Sequence, residues 1–115
     1  MSVTDLINRR DVGTFASMRL RAQDKLCLAE PISLAKGRVH EVTGGSADMF
    51  AVLAASRLRG PIIWIGRPRE INSLSPSGLQ GFIDPARMIL IECISRREVL
   101  WAAEQSLGAS CAQCV

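Results

Sequence analysis

Two short apolar runs rich in branched side chains, at residues 61–65 and 88–94, constrain this chain more than any other feature of it. The first reads Pro61-Ile62-Ile63-Trp64-Ile65 and the second Met88-Ile89-Leu90-Ile91-Glu92-Cys93-Ile94. Runs of this kind, set between helical stretches and bounded by Gly and Pro, read as strands of a parallel sheet, and the second has the Ile-rich pattern of a strand covered on both faces. The spacing predicts a preceding strand over 38–43 and a helix over 47–58, broken by Gly44-Gly45 and ended by Arg59-Gly60-Pro61. That is one βαβ unit, whose strands lie parallel because a helix joins them.

The rest of the chain is arranged around this unit. Residues 1–30 carry mixed charge with Phe15, Met18, Ala22 and Leu26 at helical spacing, which predicts an amphipathic helix ending before Pro31 and an N-terminal helical arm over 1–34. Ser75-Pro76 opens a short helix that Gly81 stops, and Asp84-Pro85 makes a turn before the run at 88–94. Ser95 followed by Glu98 forms a capping box, with Val99, Leu100, Ala103 and Leu107 as the apolar face and Gly108 as the C-cap. Cys111 to Val115 reads as the opening of a fourth strand. The expectation is an α/β fold with a mostly parallel sheet of four short strands over 35–115. An edge left open where the chain stops invites pairing, either with a continuation of the chain or by self-association.

Length and composition bound the function classes. With 115 residues, 48% hydrophobic and 22% charged, the chain can bury one core and no more. No apolar run reaches the roughly 18 to 20 residues of a membrane span and no secretory leader is visible, so a cytoplasmic location without membrane contact is expected. The formal charge is +3, and arginine supplies twelve of the fourteen basic residues. Arg57 and Arg59, then Arg67 and Arg69, stand as close pairs, as do Arg9 and Arg10, Arg19 and Arg21, and Arg96 and Arg97. A guanidinium fork matches a phosphate, so Arg57, Arg59, Arg67 and Arg69 are candidates for DNA or partner contacts, with a plain solvated surface as the alternative. With Phe15, Phe50, Phe82, Trp64 and Trp101 as the aromatics and no tyrosine, no stacking platform for single strands is visible.

Gly44 and Gly45 fall where P-loop proteins turn from strand to helix and hold phosphate with backbone amides and a lysine. Here Gly44, Gly45, Ser46, Asp48, Met49, Phe50 and Ala51 form a degenerate version. With the eight-residue pattern begun at Gly44, the second glycine falls on Met49, the lysine on Phe50 and the hydroxyl residue on Ala51. Beginning at Gly45 puts Phe50, Ala51 and Val52 there instead. Asp48 adds a carboxylate to the first helical turn, where it competes with a bound anion. Without the lysine and the Mg²⁺-binding hydroxyl, nucleotide hydrolysis is not expected, and no cofactor is.

Four segments in order resemble a family. Gly37-Arg38-Val39-His40-Glu41-Val42-Thr43-Gly44, the run from Pro61 to Gly66, Phe82-Ile83-Asp84-Pro85-Ala86-Arg87 and Leu100-Trp101-Ala102-Ala103-Glu104-Gln105-Ser106-Leu107 are similar to ImuA-like proteins, RecA relatives of the bacterial SOS response. The resemblance covers about residues 35–115 and implies a partial RecA-like core. It also implies a non-catalytic accessory of DNA-damage-induced mutagenesis and repair. Such proteins act in translesion synthesis beside an error-prone polymerase and an inactive Y-family polymerase relative. A degenerate phosphate loop fits that family, whereas the N-terminal thirty residues have no counterpart in it. The alternatives are an ATPase with an unconventional loop, and a metal or redox module built on the CxxC of Cys111 and Cys114.

The remaining reactive residues give weaker signals. His40 and Glu41 are adjacent on the expected strand, so their side chains leave on opposite faces and make no acid/base pair. Glu92 inside an apolar run would need a partner if buried, with Arg87 and Arg96 the nearest cations in sequence. A zinc site at Cys111 and Cys114 would need two further ligands from Cys27, Cys93 or His40, none well spaced, so no metal is expected and both cysteines read as buried apolar residues.

Overall fold

The computed structural model describes residues 24–115, which fall into two units, one ending at His40 and one running from Glu41 to Val115. The order of elements is β1 (Lys25–Ala29), β2 (Ile32–Ala35), α1 (Ala47–Ser56), β3 (Ile62–Gly66), α2 (Pro68–Asn72), α3 (Pro76–Leu79), a 3-10 turn (Pro85–Arg87), β4 (Met88–Glu92) and α4 (Arg96–Gly108). The chain is a small mixed α/β protein with a parallel two-stranded sheet and flanking helices.

In the first unit β1 and β2 form an antiparallel hairpin, with Lys25 opposite Ala35, Leu26 opposite Leu34 and a bulge between Cys27 and Ala29. Lys36 N–H donates to Asp24 O at 2.7 Å and closes its open end. The expected helix over 1–30 therefore fails from Lys25 onward, and its earlier part lies outside the described residues. The local pattern explains the outcome. Along β1, Leu26 and Leu28 are half-buried while Lys25, Cys27 and Ala29 are exposed, a period of two that belongs to a strand.

The expected strand over 38–43 is also absent, since these residues adopt no regular structure. Val39 is 93% exposed and has no sheet neighbour among the described residues. The helix forms as expected, over Ala47–Ser56, and buries Val52 and Ala55. β3 and β4 then pair in parallel register, Ile62 with Met88 through Gly66 with Glu92, joined through α2, α3 and the 3-10 turn. Asp84 shapes that turn by accepting from Ala86 N at 3.0 Å.

Val52, Ala55, Ile62 and Ile83 form the core, packed on by Trp64, Leu79, Met88 and Cys114. Arg87 braces it from the side. Its Nε donates to Gly60 O at 2.9 Å and its Nη2 to Leu58 O at 2.7 Å, tying the end of α1 to the start of β4. Gly60 takes φ +100°, and a Cβ there would lie 2.7 Å from Gln113 Cγ, so both backbone angle and space require glycine.

β4 is not covered on both faces: Ile89 and Leu90, whose side chains leave on opposite faces, are 49% and 48% exposed. The predicted fourth strand is reduced to one parallel bridge between Cys114 and Ile62, held by Ile63 N to Cys114 O at 2.9 Å and Gln113 N to Pro61 O at 3.0 Å. The sheet expected to have four mostly parallel strands is thus an antiparallel pair in one unit and a parallel pair in the other.

Helix α4 departs in part from its expected form. Its start is as predicted, with Ser95 Oγ accepting from Glu98 N at 3.2 Å and Glu98 Oε2 accepting from Ile94 N at 2.7 Å. Gly108 ends the helix as a helical residue, and the left-handed position falls two residues later on Ser110 at φ 57°. The buried face is Ala102 and Ser106, not the larger set expected, and Leu100 and Leu107 point outward. Small residues let α4 approach β3 closely, and Ser106 loses no hydrogen bond in doing so because its Oγ donates to Ala102 O at 2.7 Å.

Candidate functional site

The loop before α1 contains the residues that a phosphate-binding turn would use. Gly44 takes φ +111° and its carbonyl accepts from Ala47 N at 3.2 Å. Ser46 occupies the N-cap without a side-chain bond, and Phe50 N donates to Ser46 O at 3.0 Å. Asp48 and Met49 are exposed, whereas Phe50 and Ala51 are half-buried against the fold. The two positions that would carry lysine and hydroxyl thus hold half-buried apolar residues. No strand leads into Gly44, so the strand-loop-helix arrangement expected from the sequence is present only in its second half.

The four candidate arginines do not form one patch. Arg57 caps the end of α1 and Arg59 follows it, before β3 begins. Arg67 and Arg69 lie beyond the other end of β3, on α2. Five strand residues separate the pairs by about 16 Å at 3.3 Å per residue. The glycine loop lies at the opposite end of α1 from Arg57, about 15 Å along a helix of ten residues.

At the carboxyl ends of β3 and β4 the surface is concave. A cleft of about 310 Å³ is lined by Arg67, Glu70, Arg96, Val99 and Leu100. An adjoining one of about 530 Å³ is lined by Arg67, Pro68, Arg69, Glu70 and Ile94. Crevices beyond the carboxyl ends of parallel strands are where open α/β sheets present ligand-facing groups. Gly66 closes β3 here, with a Cβ position only 3.2 Å from the side chain of Glu70, which lets α2 turn sharply off the strand.

Arg67 and Glu70 form the polar centre of this surface. Glu70 Oε2 accepts from Arg67 N at 2.7 Å and its Oε1 meets Arg67 Nη2 at 3.0 Å. The backbone bond first, and the guanidinium second, hold the Glu70 carboxyl below its ordinary range. Both side chains are about half exposed, so solvent screens the pair and it adds little to stability. Glu70 occupies one guanidinium, leaving Arg69 and Arg96 as the other cations of the surface.

The remaining candidates lie apart. His40 is exposed and its Nε2 donates to the Ala35 carbonyl at 2.8 Å, a structural bond within the first unit. Glu92 is exposed and needs no buried partner, and Arg87 is engaged with backbone carbonyls instead. Cys114 is half-buried, which pushes its thiol up, but Cys111 is exposed, so only one of the pair is the apolar cysteine expected. Among the described residues no group of three or more His, Cys, Asp or Glu is placed to hold a metal ion, and no helix is long and apolar enough to cross a membrane.

No family model, curated protein or solved structure matches this chain. The functional reading therefore rests on its own residues and on the resemblance of its short segments.

Proposed function

We propose that this chain is a non-catalytic accessory domain of RecA-like descent that serves DNA-damage-induced mutagenesis through protein contacts. The supporting observation is the glycine loop. Phe50 and Ala51, at the positions where a phosphate-binding loop carries its lysine and hydroxyl, are half-buried, and exposed Asp48 puts negative charge in the first turn of α1. A nucleotide placed there would find no fixed cation for its β- and γ-phosphates and no hydroxyl for Mg²⁺. The place in mutagenesis comes from the segment resemblance, which names an error-prone polymerase complex as the partner class. The arginine pairs then supply weak, salt-sensitive DNA contacts at most, because they lie at opposite ends of β3.

Titration calorimetry with ATP and Mg²⁺ tests the loop. The expected result is no saturable heat from the native chain or from its Gly44→Ala variant. Saturable binding that Gly44→Ala abolishes would replace this proposal with the ATPase alternative. The cellular role is tested separately by measuring damage-induced mutation frequency in cells lacking the chain, where a fall is expected and an unchanged frequency would remove the mutagenesis assignment.

A further inference from the structure

The outward face of α4 carries a pattern unrelated to the glycine loop. Ile94, Leu100, Trp101 and Leu107 are 85%, 71%, 63% and 65% exposed, and Arg97 and Glu104 on the same side are exposed as well. At 100° per residue, positions 97, 100, 101, 104 and 107 fall within a stripe about 120° wide. Ala102 and Ser106, the face buried against β3, lie on the opposite side of the helix. The stripe is flanked by polar Arg96, Glu98 and Gln105, all exposed.

The order of residues in the stripe is self-complementary. If a second copy of α4 lies antiparallel across it with the two-fold axis between Leu100 and Trp101, Leu100 meets Trp101 of the other copy. Arg97 then meets Glu104, and Ile94, just before the helix, meets Leu107. Each pairing occurs twice, as a two-fold interface requires. Sliding the register by three residues sets Leu100 against Glu104 and Arg97 against Leu107, placing charge on apolar surface and leaving each ion alone. Neither Arg97 nor Glu104 belongs to an ion pair among the described residues, so both are available.

We propose that the chain forms a two-fold dimer through α4, with the Leu100 and Trp101 side chains at its centre and two reciprocal Arg97–Glu104 pairs flanking them. Charge complementarity in a register that also matches apolar to apolar selects a second copy as the occupant. A helix of 13 residues is about 20 Å long, so the buried surface is small and a weak, concentration-dependent association is expected. This inference is independent of the role proposed above.

Sedimentation of the full chain over a concentration series, with circular dichroism of every variant, is the test. The native chain is expected to pass from monomer to dimer as concentration rises. Arg97→Glu and Glu104→Arg each set like charges opposite each other twice, and each should weaken association roughly tenfold or more. The double variant carrying both reversals restores opposite charges and should recover the native affinity. Leu107→Lys, at the end of the stripe, is a further variant that should weaken association without touching the charge pairs. A native chain that stays monomeric up to hundreds of micromolar overturns the proposal. So does a dimer indifferent to both single reversals, or a double variant no better than either single one.

Discussion

Arg87 shows how one residue can hold distant parts of the chain without belonging to a site. Its guanidinium donates to two carbonyls 27 and 29 residues earlier in sequence, and both bonds are charge-assisted. Arg87→Ala leaves those carbonyls without their donor and should cost about 2–4 kcal/mol in chemical denaturation. Arg87→Lys should recover only part of it, because an ammonium cannot reproduce the fork that reaches both acceptors. At the same scale Gly60 cannot be replaced without strain. Gly60→Ala should cost about 1–3 kcal/mol, from its positive φ and from the displacement of Gln113. A loss below measurement error for either Arg87→Ala or Gly60→Ala would mean the connection between α1 and β3 is looser than these contacts imply.

Among the elements, those with local chemical punctuation were legible in the sequence and those defined by their neighbours were not. Helix α4 begins where Ser95 and Glu98 say it should, and Ser95→Ala should lower stability by about 1 kcal/mol, read by the same denaturation. The helix over Ala47–Ser56, the strands Ile62–Gly66 and Met88–Glu92, and the short helix after Ser75 were equally readable from apolar runs, Pro and Gly. The hairpin at β1 and β2 was missed because Leu26 fits both a helical spacing continued from Phe15 and a two-residue alternation with Leu28. Only pairing with β2 decides between them. The strand expected at 38–43 has the right side chains and no partner among the described residues, and a strand without a partner does not form. The phase of α4 was misjudged for a related reason. The rule that large apolar residues go inward yields to close packing of Ala102 and Ser106 on β3. Of the candidate sites, the altered glycine loop was readable by position, while the cleft at Arg67, Glu70 and Arg96 exists only once β3 and β4 lie side by side.

Across the second unit, β3 is the element on which the others depend. It is bonded to β4 along one side and to the segment at Cys114 along the other, with α1 and α4 against it. β1 and β2 have only each other within their described sheet. Amide hydrogen exchange should therefore protect Ile63 and Cys93 most strongly, and the amides of the β1–β2 hairpin should exchange at least about tenfold faster. Equal protection in both units would show that they open as a single cooperative body.

The chain contains two tryptophans and no tyrosine, so its near-ultraviolet emission has two sources in very different surroundings. Trp64 lies against the core on β3, and Trp101 stands 63% exposed on α4. The first is expected to emit to the blue and to be sheltered from an aqueous quencher, and the second to emit to the red and to be open to it in the monomer, until a second copy covers α4. One cuvette can thus report the interior and one outer helix face separately, without a label.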